Sequence, residues 1–469
     1  MIRFGVLSFL FSAVLACSLG HAAEPAGDAF VRVSPRDRRY FELTNGDPYV
    51  PVGLNMIAPP GNDLDGMAEW MQKLSANGGN YIRVWLGHPF FDVEHDRSGH
   101  YDPQRSERIE RMLELAEQHG IRVKMCIESF RHFGTRDQQW SEKSLHLKEN
   151  GGPAEDIADF FDGKESRRQF KQKLAWLSDR FGDDPAVFGW ELWNEVNAVA
   201  GGDYMTWTRI MLAELQRRFP KNLCMQSLGS FDSKWPVDHY RRLSGMESND
   251  VAQVHRYLDL GARLEVCHGP VADLAIDAVR TIQSYDPKRP ILLAESGAVE
   301  PRHTGPFKLY DEDEAGIILH DVIFAPFFAG AAGSGHIWHW GRYVDKMGLW
   351  YHFGRFSEAI EGIDPPAEKF EYVEIPHARL RILVLKGRRH ILAWCRDTQN
   401  TWRTELKQGK EPEEISGARL DLAGHVGSLD GMRVRTYDPW QNHWQKAKPD
   451  GATVPLPTFS RSIVVRIER

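Results

Sequence analysis

The chain has few cysteines, no basic run and one long apolar stretch, and each limits what it can be. Five of its 469 residues are cysteine, and no two stand as Cys-x-x-Cys. That argues against a structural zinc site. Cys126 and Cys224 sit in strand-like apolar runs and read as buried thiols acting as small hydrophobes. One disulfide among Cys126, Cys224, Cys267 and Cys395 stays open. There is no cluster of Lys and Arg, and the net charge is −7, so nucleic acid is not an expected partner. No glycine-rich phosphate loop follows the first candidate strand, which weakens a nucleotide-binding reading.

The apolar stretch lies at the N-terminus. Arg3 supplies positive charge, Phe4 to Leu19 is apolar, and Gly20-His21-Ala22-Ala23 offers small residues for cleavage. Residues 1–23 therefore read as an export signal that is too short for a membrane span. Lipid attachment at Cys17, after Val14-Leu15-Ala16, is the weaker alternative, because Leu15 is bulky for that motif. Either route implies a periplasmic or extracellular protein in an oxidising compartment. Oligomeric state is not legible.

What is present is an ordinary globular composition, 42% apolar and 26% charged, with fifteen tryptophans. Tryptophan faces suit the C–H faces of sugars, but they also fill cores. At the start, Phe30 to Val33 and Tyr40 to Leu43 alternate and predict a hairpin lid. The turn Asn45-Gly46-Asp47-Pro48 then feeds a first strand. Eight candidate strands follow: 49–55, 80–86, 121–127, 187–194, 222–228, 250–255, 291–295 and 336–340. Amphipathic stretches lie between them, at 107–119, 166–181, 205–219, 271–285 and 312–328. Gly120 and Pro220 make good helix stops. This alternation predicts an α/β fold, a (β/α)8 barrel over 24–364, rather than a doubly wound sheet. From Pro365-Pro366 onward the pattern is strand after strand, which predicts a small β-sandwich over 365–469. The long connection from Glu128 to Lys164 is of a kind that carries function.

Two carboxylates stand out. Glu195 closes the run Val187-Phe188-Gly189-Trp190-Glu191-Leu192-Trp193-Asn194-Glu195, and Glu295 closes Pro290-Ile291-Leu292-Leu293-Ala294-Glu295. Each lies where a buried strand would end, on the active face of such a barrel. Two carboxylates facing across a cleft are the equipment for cleaving a glycosidic bond. A proton donor working near neutral pH needs apolar surroundings and a neighbouring carboxylate, and Glu195 is placed to have both. Glu128 and Glu191 are rival carboxylates on strands, read as structural ion-pair partners.

These motifs, in this order, resemble the large clan of retaining (β/α)8 glycoside hydrolases, closest to family 5 with its cellulases and mannanases. The resemblance covers about residues 45–360. It implies that Glu195, after Asn194, is the acid/base and Glu295 the nucleophile. Arg83, in Tyr81-Ile82-Arg83-Val84-Trp85-Leu86, resembles the clan's second-strand arginine. His255-Arg256-Tyr257 resembles its sixth-strand His-x-Tyr, and Trp338 or Trp340 its eighth-strand sugar platform. His132, in Glu128-Ser129-Phe130-Arg131-His132, is the loosely placed candidate for an active-site histidine. Val196 and Asn197 stand where the family often has proline. The implied activity is hydrolysis of a β-linked polysaccharide or oligosaccharide by double displacement, without cofactor or metal. His336-Ile337-Trp338-His339 offers no third ligand. An exo-acting β-glycosidase and a catalytically silent carbohydrate-binding protein are the alternatives.

Overall fold

The computed structural model describes residues 27–130, 144–199, 201–285 and 288–469. The expected export signal, Cys17 and His132 lie outside the described residues. No described helix is long and apolar enough to cross a membrane.

The first two-thirds of the chain is organised around short parallel strands. Gly53–Asn55, Tyr81–Trp85, Arg122–Ser129, Val187–Asn194 and Leu223–Met225 pair side by side in chain order, and Ala252–His255 pairs with Ile291–Glu295. Most of their residues are apolar and buried on both faces, as parallel strands covered by helices require. Two links join the sets. The Asp250 amide donates to the Cys224 carbonyl at 2.8 Å, and the Asp250 carboxylate accepts from the Cys224 amide at 2.8 Å. On the other side, Ile337 bridges both Leu54 and Ser296.

Four strand expectations change. The first, over 49–55, splits, with Pro48–Tyr49 in a separate antiparallel sheet and only Gly53–Asn55 in the parallel set. The eighth, over 336–340, is only a bridging residue, and Trp340–Asp345 coils into a π-helix. Its neighbours stop at Asn55 and Glu295, so residues beyond this point have no ladder to join. The third strand extends to Ser129 and carries Glu128 into the pairing, opposite Trp193. The fifth ends at Met225, because the Gln226 side-chain amide turns to the carbonyls of Trp193 and Ser227.

Helices pack outside these strands. Asp63, Asp102 and Asp203 cap three of them, at Leu64–Ala76, Pro103–Gln118 and Tyr204–Arg218. Ile317–Phe328 is buried all round. It starts later than the expected 312 because Gly316 takes φ 71° and Asp313 caps the amides of Ile317 and Ile318 at 2.8 and 3.0 Å. The N-terminal strands Val31–Val33, Phe41–Leu43 and Pro48–Tyr49 form a small antiparallel sheet. Phe41 and Tyr49 pack on Phe188 at the start of the fourth strand, and Lys221 sits over Phe30. The expected lid is therefore a floor, at the end opposite the strand C-termini.

From Glu371 the chain forms a six-stranded antiparallel sheet, ordered Glu371–Ile375, Leu380–Lys386, His390–Asp397, Ser462–Glu468, Arg433–Asp438, His443–Lys446. Alternation gives it two apolar faces. Leu383, Leu385, Leu392, Trp394 and Val464 join the core of the parallel unit, with Trp394 stacked near Phe324 and Phe328. Ile382, Val384, Ile391, Ala393 and Val465 belong to a second core beneath the ribbon Arg419–Asp421/Thr453–Pro455. A buried pair, Arg396 Nε to Asp321 Oδ1 at 2.7 Å, ties the sheet to the apolar helix. Cys126, Cys224, Cys267 and Cys395 are buried and not disulfide-bonded.

Candidate active site

The C-terminal ends of the fourth, sixth and seventh strands converge. Glu195 follows the fourth strand, His255 ends the sixth and Glu295 ends the seventh. One oxygen of each carboxylate and a ring nitrogen of His255 lie within 4.8 Å of one another. Glu195 leaves its ladder at φ 56°, ψ 54°, a left-handed conformation that costs energy for a residue with a side chain. Its amide donates to Ser227 Oγ at 3.1 Å, and the next turn is pinned where the Gly229 amide donates to Asn197 Oδ1 at 2.6 Å. The left-handed step swings the carboxylate toward His255, whose Nδ1 is 2.9 Å from Glu195 Oε1. Burial holds the His255 ring down at about 4, so it is neutral at neutral pH.

Beneath this rim is a charged layer. Pairing sets Asn55, Arg83 and Lys124 side by side on adjacent strands. Arg83 is fully buried and donates from Nε and Nη2 to the two oxygens of Glu191, at 2.8 and 2.9 Å. Nη2 also reaches Asn194 Oδ1 at 2.7 Å, and Nη1 contacts Asn55 Oδ1 and Glu295 Oε1. Lys124 lies 3.2 Å from Glu191 and donates to Gln253. Burial pushes the Glu191 carboxyl up, but Arg83 and Lys124 outweigh it and hold it at about 2. Burial holds the Lys124 ammonium down at about 8. Two cations thus face two carboxylates, Glu191, which is fully buried, and Glu295, which is 5% exposed. The second oxygen of Glu295 accepts from Tyr257 Oη at 2.8 Å, so the guanidinium and the phenol fix that carboxylate from both sides.

Arg83, Asn194, His255, Tyr257, Glu195 and Glu295 therefore share one network. Trp338 and Trp340 stand at its edge, half-exposed. Trp338 packs on Trp85 at 5.2 Å between ring centres and lies nearly perpendicular to Trp340 at 5.6 Å, with Ile57 and Ala58 beneath. The Trp338 amide donates to the Ser296 carbonyl, one residue beyond Glu295. His336 is buried and stacks on Tyr81, while His339 lies beside Tyr310, so the two do not converge. The rival Glu128 is buried against Lys173 at 2.5 Å, with His146 at 3.6 Å. Trp193 points into a core of Phe160, Phe161 and Trp207. Asn55, Lys124 and Ser227 belong to the network without having been singled out. A lysine inside Val123-Lys124-Met125-Cys126 was the signal, since a charge in a buried strand demands a partner.

The family model described as Cellulase (glycosyl hydrolase family 5) matches residues 51–300. Mannan endo-1,4-beta-mannosidase 4 of Oryza sativa subsp. japonica is 25% identical over 272 residues, which cover 51% of this chain and 57% of that protein. The match thus spans little more than half the length of that relative. A family 5 glycoside hydrolase structure from Bacteroides vulgatus ATCC 8482 covers 95% of each chain with a TM-score of 0.57 at 14% identity. The endo-1,4-beta-mannanase of Rhizomucor miehei covers 70% of this chain and 99% of its own, with a TM-score of 0.51 at 15% identity. At such identities the structural likeness speaks for the fold, and it implies a (β/α)8 barrel. The family match over more than half of the chain decides the rest: this protein belongs to glycosyl hydrolase family 5 and is a glycoside hydrolase.

Proposed function

We propose that this chain is an exported retaining β-glycosidase acting within β-linked, mannan-type polysaccharides. The observation that carries the mechanism is the approach of the Glu195 and Glu295 oxygens to within 4.8 Å. Retaining enzymes hold their carboxyl groups about 5–5.5 Å apart, whereas inverting enzymes leave about 6.5–9.5 Å for a water. In this reading Glu295, held by Arg83 and Tyr257, attacks the anomeric carbon as Glu195 protonates the departing oxygen. A glycosyl-enzyme forms, and Glu195 then takes a proton from water, which attacks the same carbon and releases Glu295. Neutral His255, with its proton on Nδ1, donates to Glu195 when that carboxylate is ionised. Asn194, held by Arg83, is set to bond the sugar 2-hydroxyl, a contact that strengthens as the oxocarbenium ion develops.

The rice and Rhizomucor relatives are mannanases by name, which supports mannan as the first substrate to try. Export rests on the charged and apolar pattern of residues 1–23. The sheet from Glu371 and its ribbon are read as a structural β-sandwich closing the barrel domain that ends near 364. The test is direct. Purified enzyme is incubated with β-mannan, β-glucan and β-galactan, and the anomeric form of the first product is followed by NMR. Release of β-configured oligosaccharides from mannan is expected. An α-configured first product would overturn retention, and inertness on every β-glycan would overturn the substrate class.

A further inference from the structure

A second cluster of ligand-type side chains lies behind the site just described. Asp232 follows the fifth strand, Asp259 ends the short strand Leu258–Asp259, and His303 belongs to the turn Pro301–His303 after the seventh. One atom from each lies within 4.8 Å of the other two. Asp259 is 1% exposed. Its Oδ1 accepts from the amides of Gly261 and Arg302 at 2.7 and 2.9 Å. Its Oδ2 is buried without a hydrogen-bond partner among the described residues, and it points into the cluster, 3.6 Å from His303 Nε2. His303 Nε2 likewise has no hydrogen bond there.

A buried carboxylate oxygen with no donor is costly, and native proteins rarely leave one so. No lysine or arginine pairs with Asp232 or Asp259 among the described residues. Two carboxylates and an imidazole are donor groups of the kind a divalent ion takes. Nitrogen and oxygen donors together suit zinc or manganese better than calcium or magnesium, which favour all-oxygen shells. A zinc ion needs ligands at about 2.0–2.2 Å, which small side-chain rotations reach from the present spacing.

We propose that Asp232, Asp259 and His303 form a divalent-cation site of the zinc or manganese type. The His303 ring packs edge-on against Tyr257 at 5.1 Å, and Tyr257 donates to Glu295. An ion here would tie the loops after the fifth, sixth and seventh strands together behind the phenol that fixes the proposed nucleophile. The ion site itself stands apart from the hydrolytic reading.

The test uses the full chain, treated with chelator, dialysed and titrated with chloride salts of Zn2+, Mn2+, Ca2+ or Mg2+. Thermal unfolding and calorimetry are the readouts. Zn2+ or Mn2+ should raise Tm saturably at one equivalent. Asp259→Asn and His303→Ala should weaken that binding by about tenfold or more. Glu195→Gln and Glu295→Gln should keep it, which separates this cluster from the other ligand-type group at Glu195, His255 and Glu295. If Asp259→Asn fails to fold, His303→Ala decides, since that side chain is 36% exposed. No saturable response to Zn2+ or Mn2+ would overturn the site, as would one that survives His303→Ala or vanishes in Glu295→Gln. A response to Ca2+ alone would overturn the class of ion.

Discussion

Glu191 and Glu195 are four residues apart, yet they differ in nearly everything that sets a carboxylate's role. Glu191 lies inside the fourth strand, fully buried, held by a bidentate arginine and a lysine. Glu195 lies one step past the strand, 17% exposed, turned by a left-handed backbone onto a neutral histidine. The first is locked ionised and cannot exchange a proton near neutral pH. The second is partly exposed and touches an uncharged partner. Depth along the strand, rather than residue type, separates a structural charge from a chemical one.

The largest effect that would sharpen this contrast is at the rim. Glu295→Ala should lower kcat by about 10^4-fold or more on every substrate while the protein stays folded by circular dichroism. Near-normal turnover would move the nucleophile elsewhere. Glu195→Ala should cost about 10^2–10^4-fold on natural linkages. It should cost far less on an aryl glycoside whose leaving group needs no proton. Added azide should then yield a β-glycosyl azide, and its absence from the product mixture would count against the acid/base role.

At depth the damage should be to stability. Glu191→Gln strips the buried Arg83 and Lys124 of a charge and should cost about 3–5 kcal/mol in denaturant unfolding. A variant as stable as the parent but inactive would reverse the comparison.

The histidine at the boundary gives a smaller, pH-dependent effect. His255 titrates at about 4 when folded against about 6.5 when unfolded, so between those values the unfolded chain binds the extra proton. Its contribution to stability should be present above about pH 6.5. It should be lost as pH falls toward 4, by up to about 3 kcal/mol. His255→Gln should flatten that part of the pH–stability curve, and an unchanged slope would remove the ring from the account.

The smallest effect should come from the apolar edge. Removing the ring of Trp338 or of Trp340 should raise KM roughly 2- to 10-fold, the worth of one aromatic face. Wild-type kinetics in both alanine variants would move the platform to Trp85.

The sequence by itself determined the run of apolar strands, the amphipathic helices between them and the change of pattern near Pro365. It also placed Glu195 and Glu295 at the ends of buried runs. These are local properties, set by the period of side chains along one segment. It did not reveal that the eighth segment barely pairs, because a ladder depends on where its neighbours stop. Nor did it reveal that the N-terminal hairpin is a floor, because that depends on which end Phe188 occupies. Only the tertiary structure decided the charges. Arg83 and Glu191 are 108 residues apart, and Asp232 and His303 belong to different loops. A buried charge is defined by what lies across from it, and packing supplies that partner from anywhere in the chain.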